Sequence, residues 1–185
     1  KMELGNGLIT KAGGVAFVTN SMRREPINRC RREEGIMDYF DIAAIGYSGD
    51  EARMLLDGSE SFVKPSALAM MPCPRRRFTH ERILPDGNTI ISHEELRYCI
   101  EPGAEGSTPM KSALEHALAL TSKWCRREGN RSSYPPTIFN ITDGEASDGD
   151  PESLCDIAGS IKSLATDDGN ALLINIDISA NATDR

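Results

Sequence analysis

Two short stretches of this 185-residue chain gather oxygen-bearing side chains beside residues that turn the backbone: Gly106-Ser107-Thr108-Pro109 and Asn140-Ile141-Thr142-Asp143-Gly144-Glu145. Hydroxyls and carboxylates are hard ligands. On neighbouring loops they suit Mg2+, Mn2+ or Ca2+, whereas zinc favours thiolate and imidazole. Each stretch also has a plainer reading. Thr108 can cap a helix that starts at Pro109, and Asp143-Gly144 can be an ordinary turn. Other chemistries lack their parts. His80, His93 and His116 are scattered, with no Cys, His or Asp partner at catalytic spacing, and His116 reads as structural, beside an apolar helical stripe. The sequence contains no nucleophile elbow, phosphate-cradling glycine loop or acid–base carboxylate pair. An enzyme needs a positioned base or nucleophile as well as an ion, so the chain is expected not to be one.

For the two stretches to meet, a helix must begin near Pro109 and a strand must end near Thr142. Pro109 suits a first helical position. Met110, Ala113, Leu114, Ala117, Leu118, Thr121, Trp124 and Cys125 hold a 3.6-residue period, which predicts a helix to about Arg127. Residues 137–142 (TIFNIT) read as a strand. Asp150-Pro151 opens a second helix with Leu154, Ile157, Ala158, Ile161 and Leu164 on one face, and Asp148 and Asp150 read as its loop-shaping and capping residues. After Gly169, residues 171–178 (ALLINIDI) read as another strand. Strand, helix and strand of these lengths make a βαβ crossover with parallel strands.

Upstream the pattern is looser. Residues 8–32 read as a helix interrupted at Pro26 and stopped by Gly35. Residues 39–47 (YFDIAAIGY) read as a strand covered on both faces, and 41–47, 137–142 and 171–178 are expected as adjacent or near-adjacent core strands. Asp86-Gly87-Asn88 suggests a tight turn between two short edge strands, residues 96–100 a further strand, and Arg75-Arg76-Arg77 a solvated surface. The fold class these elements predict is α/β: a doubly wound, mostly parallel central sheet flanked by helices, in a single domain over residues 1–185. Sites in such open sheets form beyond the C-terminal ends of the strands, where both oxygen-rich stretches would lie.

Composition narrows the partners. The chain is 39% hydrophobic and 26% charged, ordinary for a globular protein, and long enough to bury a core without staples. Its net charge of −7 argues against non-specific binding to nucleic acid or to an anionic membrane. The longest apolar runs, such as 171–174, are too short for a transmembrane helix, and no signal peptide is visible at Lys1. Cys30, Cys73, Cys99, Cys125 and Cys155 are odd in number and widely spaced. They are expected as reduced, mostly buried thiols in the cytoplasm, not as a disulfide framework or a zinc site.

Three segments, in their order and separation, resemble a von Willebrand factor A-type (VWA) domain of the bacterial intracellular kind: Tyr39-Phe40-Asp41-Ile42-Ala43-Ala44-Ile45-Gly46-Tyr47, Gly106-Ser107-Thr108-Pro109-Met110 and Asn140-Ile141-Thr142-Asp143-Gly144-Glu145. The likeness spans nearly the whole chain. It implies a metal-ion-dependent adhesion site, in which a divalent cation, usually Mg2+, sits above the sheet. In that family the ion is held by an Asp-x-Ser-x-Ser motif after the first strand, a threonine from a later loop and an aspartate after a central strand. The partner supplies a carboxylate as the last ligand. Thr108 matches the threonine and Asp143 the aspartate. No Asp-x-Ser-x-Ser occurs in these residues. The resemblance implies that the chain begins just beyond that motif and stops before the family's final helix and strand. With Thr108 and Asp143 alone, the polypeptide is expected to hold metal weakly.

The function these readings predict is a metal-ion-dependent protein-binding module that grips an Asp or Glu of a protein partner through Mg2+, Mn2+ or Ca2+. The alternatives are a metal-free interaction scaffold and a metal-assisted hydrolase using the acidic edge around Asp143. Neither nucleic acid nor a membrane is expected as a partner.

Overall fold

The computed structural model describes residues 2–4, 10–56, 61–103, 106–142 and 144–178. Along the chain the elements are β1 (Met2–Leu4), α1 (Lys11–Met22), α2 (Arg24–Arg29), β2 (Arg31–Arg32), β3 (Gly35–Ile36), β4 (Ile45–Ser48), β5 (Glu51–Met54), α3 (Pro65–Met70), β6 (Arg75–Ile83), β7 (Thr89–Arg97), α4 (Met110–Cys125), β8 (Thr137–Thr142), α5 (Pro151–Ser163), β9 (Ala165–Thr166), β10 (Gly169–Asn170) and β11 (Leu172–Asp177). They fall into two compact units, one of Lys1–Ile42 and Val63–Pro102, the other of Ala43–Phe62 and Gly103–Arg185.

The first unit is built on a three-stranded antiparallel sheet in the order β1-β6-β7. The β6–β7 hairpin closes through the expected turn: Gly87 takes φ +84°, and the Asp86 carboxylate accepts from Asn88 N at 3.0 Å. Its strands are nine residues each, longer than the short edge strands predicted. Residues 96–97 belong to β7, so no separate strand begins there. Phe78, Leu96 and Tyr98 point to one face and bury against Ala16 and Phe17 of α1. Asn20 ties the same helix to the chain beyond β7. Its Oδ1 accepts from Cys99 N and Ile100 N, and its Nδ2 donates to Ile100 O and Ala16 O, which satisfies a buried amide completely. The long helix expected over 8–32 is broken at Arg23, three residues before Pro26, as a proline that cannot donate to the preceding turn requires. Gly35 is not its stop. It takes φ +134° inside the tight β2–β3 hairpin.

In the second unit β4 and β5 form an antiparallel hairpin, while β8 and β11 pair in parallel, in register from Leu172 opposite Thr137 to Asp177 opposite Thr142. The crossover between them holds α5, as the sequence predicts, with Ile161 fully buried on its apolar face. The α4 helix also follows its predicted stripe, burying Ala113, Leu114 and Thr121. His116 is exposed on that helix, so the structural role read for it is not a core one. No helix among the described residues is long and apolar enough to cross a membrane.

The doubly wound, mostly parallel central sheet predicted from the sequence is not what the chain forms. The described strands make one three-stranded antiparallel sheet and four two-stranded sheets, of which only β8–β11 is parallel. The reason is local. Residues 41–47 were expected to extend one core strand, but β4 starts only at Ile45, and Gly49 at φ +68° reverses the chain straight into β5. A strand paired with its hairpin neighbour runs antiparallel. Apolar composition was a misleading guide to burial: Tyr39 is 59% exposed, Leu172 50% and Phe139 45%. The cysteine reading is corrected as well. Cys30 is buried, Cys125 half-buried and Cys155 exposed, but Cys73 and Cys99 are joined as a disulfide. They face each other one step beyond the Pro74–Tyr98 backbone contact at the foot of the β6–β7 hairpin, with Cα atoms 4.8 Å apart.

Candidate functional site

Three loops of the second unit converge around Thr108: the Ser48-Gly49-Asp50 turn between β4 and β5, the segment 106–109 before α4, and the segment 144–150 after β8. Thr108 N donates to Ser147 Oγ at 2.8 Å, and Ser147 N donates back to Thr108 O at 3.0 Å. Ser107 Oγ donates to Gly49 O. Gly106 makes the approach possible. It takes φ +75°, and a Cβ there would stand 2.8 Å from Gly49 Cα.

The helix beginning at Met110 has no side-chain cap of its own. Thr108 therefore does not play the capping role its position suggests. Asp148 does so from the loop opposite, its two carboxylate oxygens accepting from Lys111 N and Ser112 N at 2.9 Å each. A carboxylate there satisfies two of the orphan amides and meets the positive end of the helix dipole. Asp150 caps α5 as expected, accepting from Ser153 N at 2.7 Å. That hydrogen bond holds its carboxyl below the ordinary 3.8, so the cap is charged at neutral pH and is lost only as pH falls through the lowered value. Replacing Asp148 with alanine is expected to lower stability by about 1 kcal/mol, the usual cost of a lost N-cap. Urea denaturation of the full chain measures it, and an unmoved midpoint would contradict the capping role.

Thr108 is half-buried, and its hydroxyl makes no hydrogen bond among the described residues. Asp143 lies outside the described residues, so the expected closeness of Thr108 and Asp143 lies outside them too. Its chain neighbours are placed. Thr142 is buried, and its hydroxyl donates to Gly144 O at 2.8 Å. A Cβ on Gly144 would lie 3.9 Å from Thr108 Oγ1. The loop after β8 thus passes directly beside the Thr108 hydroxyl.

The donor chemistry at this point is that of a hard cation, but the donor count among the described residues is short. Ser107 and Ser147 hydroxyls and both Asp148 oxygens already make hydrogen bonds within the protein, whereas Thr108 Oγ1 makes none among the described residues. Mg2+ and Ca2+ take six or more oxygens, only some of which water supplies. Among the described residues no group of three or more His, Cys, Asp or Glu could hold a metal ion.

Asn140, which opens the acidic stretch in the sequence, is structural. Its Oδ1 accepts from Tyr47 Oη at 2.7 Å and its Nδ2 donates to Asn175 Oδ1 at 2.6 Å. With Met110, Leu114, Leu154 and Leu173 it lines an open groove of about 290 Å3 under α4 and α5. Sequence reasoning missed Ser147 and the Gly49 turn. Their only signal was small residues at loop positions, which is too common to single out. Comparison of the chain with protein-family models, with curated proteins and with solved structures found no match.

Proposed function

We propose that this chain is a protein-binding module that grips an acidic side chain of its partner through Mg2+, with Thr108 and Asp143 as its own ligands, as the resemblance to VWA domains implies. The observation that supports the reading is the fixed loop junction: Thr108 is pinned through its backbone to Ser147, while its hydroxyl faces Gly144, the residue after Asp143. A neutral hydroxyl leaves the cation most of its charge, which favours a carboxylate arriving from outside. No described group at the junction is set up as a nucleophile or base, so the reading is of binding rather than turnover, in the cytoplasm. One observation favours a metal-free scaffold as the second reading. Both oxygens of Asp148, a carboxylate on the loop that meets Thr108, are occupied by amides of α4.

Retention of short peptides on the immobilised full chain separates the two. Peptides carrying one Asp are expected to be retained in Mg2+ and released by EDTA, and the same peptides with Asn in its place to pass through. Retention indifferent to EDTA and to the Asp→Asn change would overturn the metal reading in favour of the scaffold.

A further inference from the structure

The first unit holds a group of three side chains that the proposed function does not use. Arg23 ends α1, and its Nη1 lies 3.6 Å from Cys73 Sγ and also contacts Cys99 Sγ. Among the described residues this guanidinium makes no ion pair with a carboxylate. It is half-buried, and Arg97 is close enough to disfavour its charge further. A half-buried cation next to another cation gains from any anion that forms beside it, and the atoms it faces are sulfurs. The gain is mutual: a guanidinium that favours a thiolate lowers the pKa of that thiol. Cys73 and Cys99 are both half-buried, so an external thiol has partial access to the bond, unlike the fully buried Cys30.

We propose that Cys73 and Cys99 form a thiol–disulfide exchange site, with Cys99 as the attacking and leaving thiolate and Arg23 as the residue that stabilises it. In the reducing direction a small external thiolate, such as that of glutathione, attacks Cys73 Sγ. The bond between the two protein sulfurs breaks, and Cys99 leaves as a thiolate beside Arg23. A second external thiolate attacks the external sulfur of the mixed disulfide and releases Cys73, which takes up a proton. One protein disulfide and two external thiols become one protein dithiol and one external disulfide, with two electrons passing to the pair. Oxidation runs the same steps backwards, the Cys99 thiolate attacking the mixed disulfide at Cys73. Reduction unfastens the foot of the β6–β7 hairpin, next to the Asn20 clamp on Cys99 N. In a reducing compartment disulfides are mostly transient and redox-responsive, so the site is compatible with a cytoplasmic location.

The test is mass-spectrometric, on the full chain. Equilibrated across mixtures of reduced and oxidised glutathione and then alkylated, the Cys73–Cys99 bond is expected to open within the millimolar range of reduced glutathione and to close again on oxidation. A bond that never forms, or one that stays closed throughout that range, would overturn the proposal. In Cys73→Ser protein, iodoacetamide modification of Cys99 at neutral pH is expected to slow about threefold when Arg23→Gln is added, because less of the thiol is then ionised while the thiolate that remains is somewhat more nucleophilic. Arg23→Lys should restore most of the rate, which a purely structural role would not. Equal rates for arginine, lysine and glutamine, in proteins with matching circular dichroism, would remove Arg23 from the site.

Discussion

Replacing Phe78 with alanine is expected to destabilise the first unit by about 3–5 kcal/mol, a large share of the roughly 5–15 kcal/mol that holds a domain folded. Phe78 is fully buried at the centre of its sheet. Its ring meets Phe17 edge-on at 4.7 Å between centroids and lies 5.8 Å from Tyr98. Truncation removes the transfer energy of the ring and leaves a cavity between α1 and the β6–β7 hairpin, which the rigid Asn20 clamp hinders from collapsing. The loss of two aromatic contacts adds to it. Hydrogen exchange of β6 and β7 amides reads this unit by itself. Protection that survives the substitution would show that the core lies elsewhere.

Gly106→Ala is the corresponding test of the loop junction in the second unit. A left-handed backbone at a non-glycine residue costs about 1–3 kcal/mol. Here the added Cβ also stands 2.8 Å from backbone, Gly49 Cα, which cannot swing aside as a side chain can. The expected result is a loss of stability together with displacement of the Ser107–Gly49 hydrogen bond, and with it of Thr108. Gly144→Ala is the control. It introduces only an ordinary contact, 3.9 Å from Thr108 Oγ1, and should cost well under half as much. Denaturation midpoints of the two variants measured side by side decide the matter. Equal small losses would mean that the loops do not pack as described.

The parts of the fold legible in the sequence were those fixed by one element's own periodicity and caps. The stripes of α4 and α5, the Asp150 cap and the turn at Asp86-Gly87-Asn88 come from spacings within a few residues, and the parallel pairing of β8 with β11 follows from the strand–helix–strand order around α5. The sheet was illegible because strand pairing is a long-range choice. Apolar residues at 39–47 satisfy a buried parallel strand and a half-exposed hairpin equally well. The Cys73–Cys99 pair was hidden for a related reason: 26 residues apart in sequence, they meet only because a nine-residue ladder brings them to the same step. At the candidate site, residue type pointed to hard-cation chemistry, but not to which oxygens the protein would use itself. Asp148 illustrates this. It read as a cap for the helix that follows it, and its carboxylate instead crosses to the start of α4.

Mn2+ binding to the full chain, followed by the loss of free-ion paramagnetic resonance signal, tests the metal claim most directly. One weak site that Mg2+ competes for is expected, abolished by Asp143→Ala and strongly weakened by Thr108→Ala, while Asp148→Ala leaves it in place with only its cap lost. Mn2+ that stays free at every protein concentration, or binding unchanged by both Asp143→Ala and Thr108→Ala, would contradict that claim.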